Sequence, residues 1–192
     1  MEIATPRFVL CDFVEADRAA FLAYQTDPRY RRLYDLGESY VDQASSLFSQ
    51  FLAWQREIPR QNYQLGIFQH GTRHLRGCAG LRRLGSSENE AVLGIELTPD
   101  DWGRYRLALD TANALIEFGF GDLKLDRIIG STASGNKRVE RLAQWFGASI
   151  ITERQGADWM SVRGWVELDW VLPRECWEAS RSGGAHSAAN RP

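Results

Sequence analysis

The sequence has little cysteine, little histidine and no long apolar run, and each absence narrows what the chain can be. Three cysteines, Cys11, Cys78 and Cys176, stand far apart and in odd number, with no CxxC pair. That pattern excludes a disulfide framework and fits buried or incidental thiols in a reducing compartment. His70 and His74 are spaced i, i+4, but Gly71 puts a turn between them and no cysteine or third histidine is near. No metal site is therefore expected. No apolar stretch approaches the roughly 20 residues needed to cross a bilayer. Residues 1–7 carry charges and a proline in place of the apolar core of a signal peptide, so the cytoplasm is the expected location. There is no basic tract, and the net charge is −2 with both signs mixed along the chain. Nucleic acid is thus disfavoured as a partner.

What the chain does have is an ordinary globular composition: 192 residues, 44% hydrophobic and 25% charged, with seven Trp and nine Phe. The length suits one domain with an aromatic-rich core, at about 100–200 residues per domain. We expect that domain over residues 1–178, followed by a small, polar, unstructured tail over 179–192.

Hydrophobic periodicity orders the elements. An apolar segment at 7–13 reads as a strand, and 19–24 continues into a helix. Residues 29–40, rich in Tyr and Arg, read as irregular. Ala44, Leu47, Phe48, Phe51 and Leu52 fall at helical spacing within 41–57, and Pro59 stops that helix. Strands follow at 63–69, 75–84 and 90–97, the first two joined by a turn at His70-Gly71-Thr72. A long helix is predicted over 102–123, then a strand at 127–134, a short helix at 136–146 closed by Gly147, and strands at 149–154 and 165–172. This order implies an α/β (α+β) chain with a mixed, mostly antiparallel sheet of six to seven strands and helices on both faces.

Several α/β folds share this order, and specific residues narrow it. The opening Thr5-Pro6-Arg7-Phe8-Val9-Leu10, followed by Asp17, resembles the start of the ribosomal-protein-alanine branch of the GNAT (Gcn5-related) acetyltransferases. The GCAGL strand at 77–81, the LGIELTP strand at 93–99, Trp102-Gly103, and Asn136 with Gly147 are similar to motifs of that branch in order and spacing. The resemblance covers residues 5–172. It implies a GNAT fold, acetyl-coenzyme A as acyl donor, an amine acceptor that is a small molecule or a protein N-terminus, and a possible homodimer.

Three departures from the family pattern bear on the chemistry. The pyrophosphate loop of the family, Q/R-x-x-G-x-G/A, aligns with Gly103-Arg104-Tyr105-Arg106-Leu107-Ala108, where only the last small residue is kept. The Ser of the family's "N..S" motif is Val139, and the Tyr that many members place at the thiolate aligns with Ala143. Both familiar positions for a general acid are therefore empty. The Phe that ends the same motif is Ala148.

The chemistry assigns expected roles to the rest. A helix N-terminus offers free N–H groups and the positive end of a dipole to a pyrophosphate. Gly103 and Ala108 would keep that approach open, and Arg104 and Arg106 would add charge-assisted bonds, or be solvated residues at a helix start. By resemblance, the strand at 93–97, with Ile95 and Leu97, would pair with the pantetheine arm, and its N–H groups would face the thioester carbonyl. Asn136 would contact the same arm, cap its helix, or do both. Glu96, on that strand between apolar neighbours, is the candidate general base, with an outward-facing strand glutamate as the plain alternative. Asp35 and Glu38, in the loop that the resemblance places at the acceptor entrance, are candidates to bind a cationic substrate. Two functional readings follow. One is an N-acetyltransferase working by direct attack of an amine on acetyl-CoA. The other is a GNAT-fold module with weak or no turnover that binds acyl-CoA or a protein partner.

Overall fold

The structure, a computed structural model, describes residues 1–34, 40–83 and 89–184. Its contacts divide into two units, one of Met1–Leu84 with Leu93–Glu117 and the other of Gly85–Val92 with Phe118–Pro192.

The first unit begins with β1 (Glu2–Ala4) and β2 (Phe8–Asp12), paired antiparallel with Ile3 opposite Leu10. Strands β3 (Asn62–Gln69) and β4 (Leu75–Arg82) extend this ladder, with Leu10 opposite Ile67 and Gln64 opposite Gly80. The second half of β5 (Glu90–Leu97) follows β4, where the Thr98 amide donates to the Arg76 carbonyl. Helices α1 (Arg18–Gln25), α2 (Pro28–Tyr34) and α3 (Tyr40–Trp54) lie in this unit. Its core is aromatic. Phe13 meets Phe21, Phe48, Phe51 and Phe68 with ring centroids 5.2–6.0 Å apart. The bare Cα of Gly66 makes room for this cluster, since a Cβ there would run into the Phe68 and Phe13 rings. Burying each of these rings contributes on the order of 1.5–3 kcal/mol. On α3 the buried residues Ala44, Phe48 and Phe51 fall at the spacing of one helical face.

In the second unit the first residues of β5 pair parallel with β6 (Arg127–Ala133), Glu90 opposite Arg127 through Val92 opposite Ile129. Strand β8 (Glu167–Pro173) lies antiparallel between β6 and β7 (Ser149–Arg154). Helix α5 (Lys137–Trp145) is capped by Asn136 and closed by Gly147, whose φ of 88° suits glycine. Helix α4 (Tyr105–Gly121) begins in the first unit. A one-turn helix, α6 (Asp158–Ser161), follows β7, and the last helix, α7 (Arg174–Gly184), packs Trp177 on Phe120 with centroids 5.1 Å apart.

The sheet order read through β5 is β1-β2-β3-β4-β5-β6-β8-β7, mixed and mostly antiparallel as expected. Among the described residues the sheet has eight strands where six to seven were expected, because the three residues of β1 are too few for a pattern. Three α-helices among the described residues also went unpredicted: α2, the one-turn α6 and α7. Residues 28–34 form α2, not an irregular stretch. Pro28 opens it at a position where proline costs no hydrogen bond, and Asp27 accepts from the Arg29 amide at 2.7 Å. Helix α7 carries the chain to Gly184, into the stretch expected to be a tail. Among the described residues no helix is long and apolar enough to cross a membrane, and no group of His, Cys, Asp and Glu could hold a metal.

Candidate active site

Strand β5 turns Glu96 toward the helices of its own unit, and those helices supply its partners. The Tyr30 hydroxyl, from α2, donates to Glu96 Oε2 at 2.6 Å. The side-chain amide of Gln25, the last residue of α1, donates to Oε1, and its own Oε1 accepts from the Tyr40 hydroxyl at the start of α3. Gln25, Tyr24 and Tyr30 are buried, and Glu96 is partly so. Tyr24 donates to Cys78 Sγ at 3.4 Å, and Cys78 occupies β4 beside β5. Glu96 is therefore no solvated strand glutamate; residues from three helices tie it in place.

The electrostatics follow from that enclosure. Burial pushes the Glu96 carboxyl above its ordinary value, while hydrogen bonds from Tyr30, Tyr24 and Gln25 and the charge of Arg82 pull it partly back. The result is a more basic carboxylate, held in one orientation. Tyr30 is raised in turn by burial and by the neighbouring Glu96 charge. Cys78 is pushed up to about 12, first by burial and then by Glu96, so it stays a neutral thiol and no nucleophile.

The turn that leads into α4 is built around a buried carboxylate. Asp101 is 2% exposed and accepts a fork of two bonds from Arg76. The Thr98 hydroxyl adds a bond at 3.1 Å, and Arg104 Nε approaches at 3.1 Å. Arg104, expected at a phosphate, thus leans on Asp101, though most of its side chain is exposed. Gly103 sits at φ 91°, a conformation glycine adopts without strain, and Arg106 is exposed at the start of α4. Ala108 follows, half-buried.

Ile95 and Leu97 flank Glu96 on β5. The pairing with β6 stops at Val92, and the Leu97 carbonyl accepts from the Trp102 indole at 3.0 Å. In the second unit, Asn136 accepts at 3.4 Å from the Val139 amide, so it is a helix cap. Asp35 and Glu38 lie outside the described residues.

A family model for the acetyltransferase (GNAT) domain matches residues 7–149, a span that runs through both units. The chain belongs to the GNAT acetyltransferase family. Solved GNAT structures repeat its fold. An acetyltransferase (GNAT family) from Bacillus anthracis superposes with a TM-score of 0.72 at 18% identity, covering 91% of this chain and 99% of the other. An acetyltransferase from Agrobacterium tumefaciens gives 0.68 at 20% identity, covering 91% and 95%. A chimeric spermidine N-acetyltransferase from Vibrio cholerae SpeG and hSSAT gives 0.70 at 14%, covering 88% and 97%. At these identities the likeness speaks for the GNAT fold alone. No curated protein matches the chain in sequence. Within this GNAT chain, Glu96 was legible as a candidate because it interrupts an apolar strand. Gln25, Tyr30 and Tyr40 were not, since their roles depend on helices that converge from distant parts of the sequence.

Proposed function

We propose that this protein transfers an acetyl group from acetyl-CoA to a primary amine by direct attack, with Glu96 as general base. The observation that carries the reading is the Glu96 carboxylate, raised in basicity and fixed by Tyr30 and Gln25 on the strand that would hold the donor. An amine must lose its proton to attack, and a positioned base contributes about 10²–10⁴-fold to such a step. The amine nitrogen forms its bond to the acetyl carbon as the carbon–sulfur bond breaks. The electron pair leaves with the CoA sulfur, and Glu96 takes the amine proton. Neutral Cys78 offers no covalent route.

The donor fits the residues present. Among the described residues the pairing of β5 with β6 ends at Val92, and the strand beyond it suits the pantetheine arm, with Ile95 and Leu97 on either side of the base. Gly103, Arg104, Arg106 and Ala108 suit a pyrophosphate at the start of α4: glycine lets the backbone come close, and exposed arginines offer charge. Asp35 and Glu38 would greet a cationic acceptor. Val139 and Ala143 supply no proton to the leaving thiolate, and positioning must provide the rate, up to roughly 7–11 kcal/mol in favourable cases. Those two residues also motivate the rival reading, a module that binds acyl-CoA without turnover.

Calorimetric titration with acetyl-CoA and with CoA, followed by thiol release over an amine panel, tests the proposal. Micromolar binding with turnover supports the enzyme, binding without turnover on any amine supports the rival, and binding of neither ligand overturns both.

A further inference from the structure

Arg82 ends β4 on the same side of the sheet as Glu96, half-buried. Among the described residues its guanidinium makes no ion pair, and its Nε is buried without a hydrogen-bond partner. Buried polar groups in native proteins are almost always paired, so an unpaired guanidinium nitrogen asks for an explanation. The guanidinium lies over Gly94, since a Cβ at that glycine would sit 3.1 Å from its Nη2. Gly94 is two residues from Glu96 on β5, about 7 Å along the strand and on the same face. Gly80, on β4 between Cys78 and Arg82, also lacks a side chain there, with Gln64 Oε1 beside it. At Gly80 the Tyr63 carbonyl and Gln64 fill the place of a side chain, whereas at Gly94 the bare backbone lies directly beneath the guanidinium, on the face that carries Glu96. The two charges feel each other, because Arg82 lowers Glu96, yet they form no salt bridge.

The geometry points to an acceptor that is itself a zwitterion: an amine carrying a carboxylate, with the amine at Glu96 and the carboxylate on the Arg82 fork across Gly94. This rests on the reading of Glu96 as base and narrows its substrate class to amino acids and compounds of like charge. The guanidinium fork matches a carboxylate in two parallel bonds. A polyamine would instead bring further positive charge to Arg82.

The test compares L-amino acids with their primary amides as acceptors, by thiol release, in the wild type, Arg82→Met and Arg82→Lys. In the wild type kcat/KM should favour the acid by about 10- to 100-fold, the size of a charge-assisted hydrogen bond. Arg82→Met should abolish that preference, and Arg82→Lys should restore part of it. Equal wild-type rates for acid and amide, or a preference that survives Arg82→Met, would overturn the proposal. Glu96→Gln separates the two ideas: if turnover survives it, the base is wrong while the acid-to-amide ratio still reports on Arg82. A readout without turnover uses the products. The Arg82 Nε–H resonance of the wild type, assigned through its side-chain carbons, should shift and saturate with N-acetyl-L-amino acids and not with their amides. No shift across that panel would overturn the proposal even in a protein that turns over no amine.

Discussion

Around Glu96 and at the start of α4, the same unit solves two problems in opposite ways. Glu96 is held by Tyr30 and Gln25, Gln25 by Tyr40, and aromatic rings from three helices close over them. At α4 the turn is fixed by one buried carboxylate, Asp101, on which the largely exposed Arg104 leans, while Arg106 stands in solvent. The first arrangement spends packing to set the basicity and aim of one group. The second fixes the backbone and leaves the arginine side chains largely exposed. A base must be right in both orientation and basicity, whereas a phosphate can be met by N–H groups and mobile charge. On the proposed reading of this turn as the pyrophosphate site, the contrast accounts for Arg106 at a glycine position of the family pattern while Gly103 holds the turn at positive φ.

The contrast can be broken from either side. The largest effect belongs to the base. Glu96→Gln should cost about 10²–10⁴-fold in kcat while calorimetric affinity for acetyl-CoA holds. Next is the support under α4. Asp101→Asn removes one partner of a buried ion pair and should cost about 3–5 kcal/mol in denaturant unfolding. The pH dependence of that contribution has a definite sign. Burial alone would raise Asp101, but the bonds and charge of Arg76 hold its carboxyl below the ordinary value. Its stabilisation is therefore present above the unfolded carboxylate value and is lost as pH falls through the lower folded value. Tyr30→Phe is subtler. It removes a bond that favours the ionised Glu96, so the acid limb of kcat/KM should move to higher pH, at a stability cost of about 1 kcal/mol. The smallest effect is expected at the solvated charges. Arg106→Ala should raise the KM for acetyl-CoA only a few-fold, and the difference should fade with added salt, which screens exposed pairs.

Much of the fold was legible because its strands and long helices repeat with clean periods. Residues 90–97 and 149–154 form the predicted strands β5 and β7. Helix α2 was hidden by its content of Tyr and Arg, although Asp27-Pro28 marked its start. The site was legible only in part. Glu96 stood out locally, as an acid between Ile95 and Leu97. Its partners did not, because a glutamine ending one helix and tyrosines in two others acquire meaning only once tertiary packing converges them. Arg82 was equally silent: a charged residue ending a strand is usually solvated, and only its place over Gly94 makes it unusual.

The measurement that tests the central claim most directly is the pH profile of kcat/KM for an amine found in the panel, in the wild type and in Glu96→Gln. The account predicts a wild-type acid limb whose midpoint lies above the ordinary glutamate value of about 4.3, and the loss of that limb in the variant. The same limb at the same pH in both proteins would contradict it.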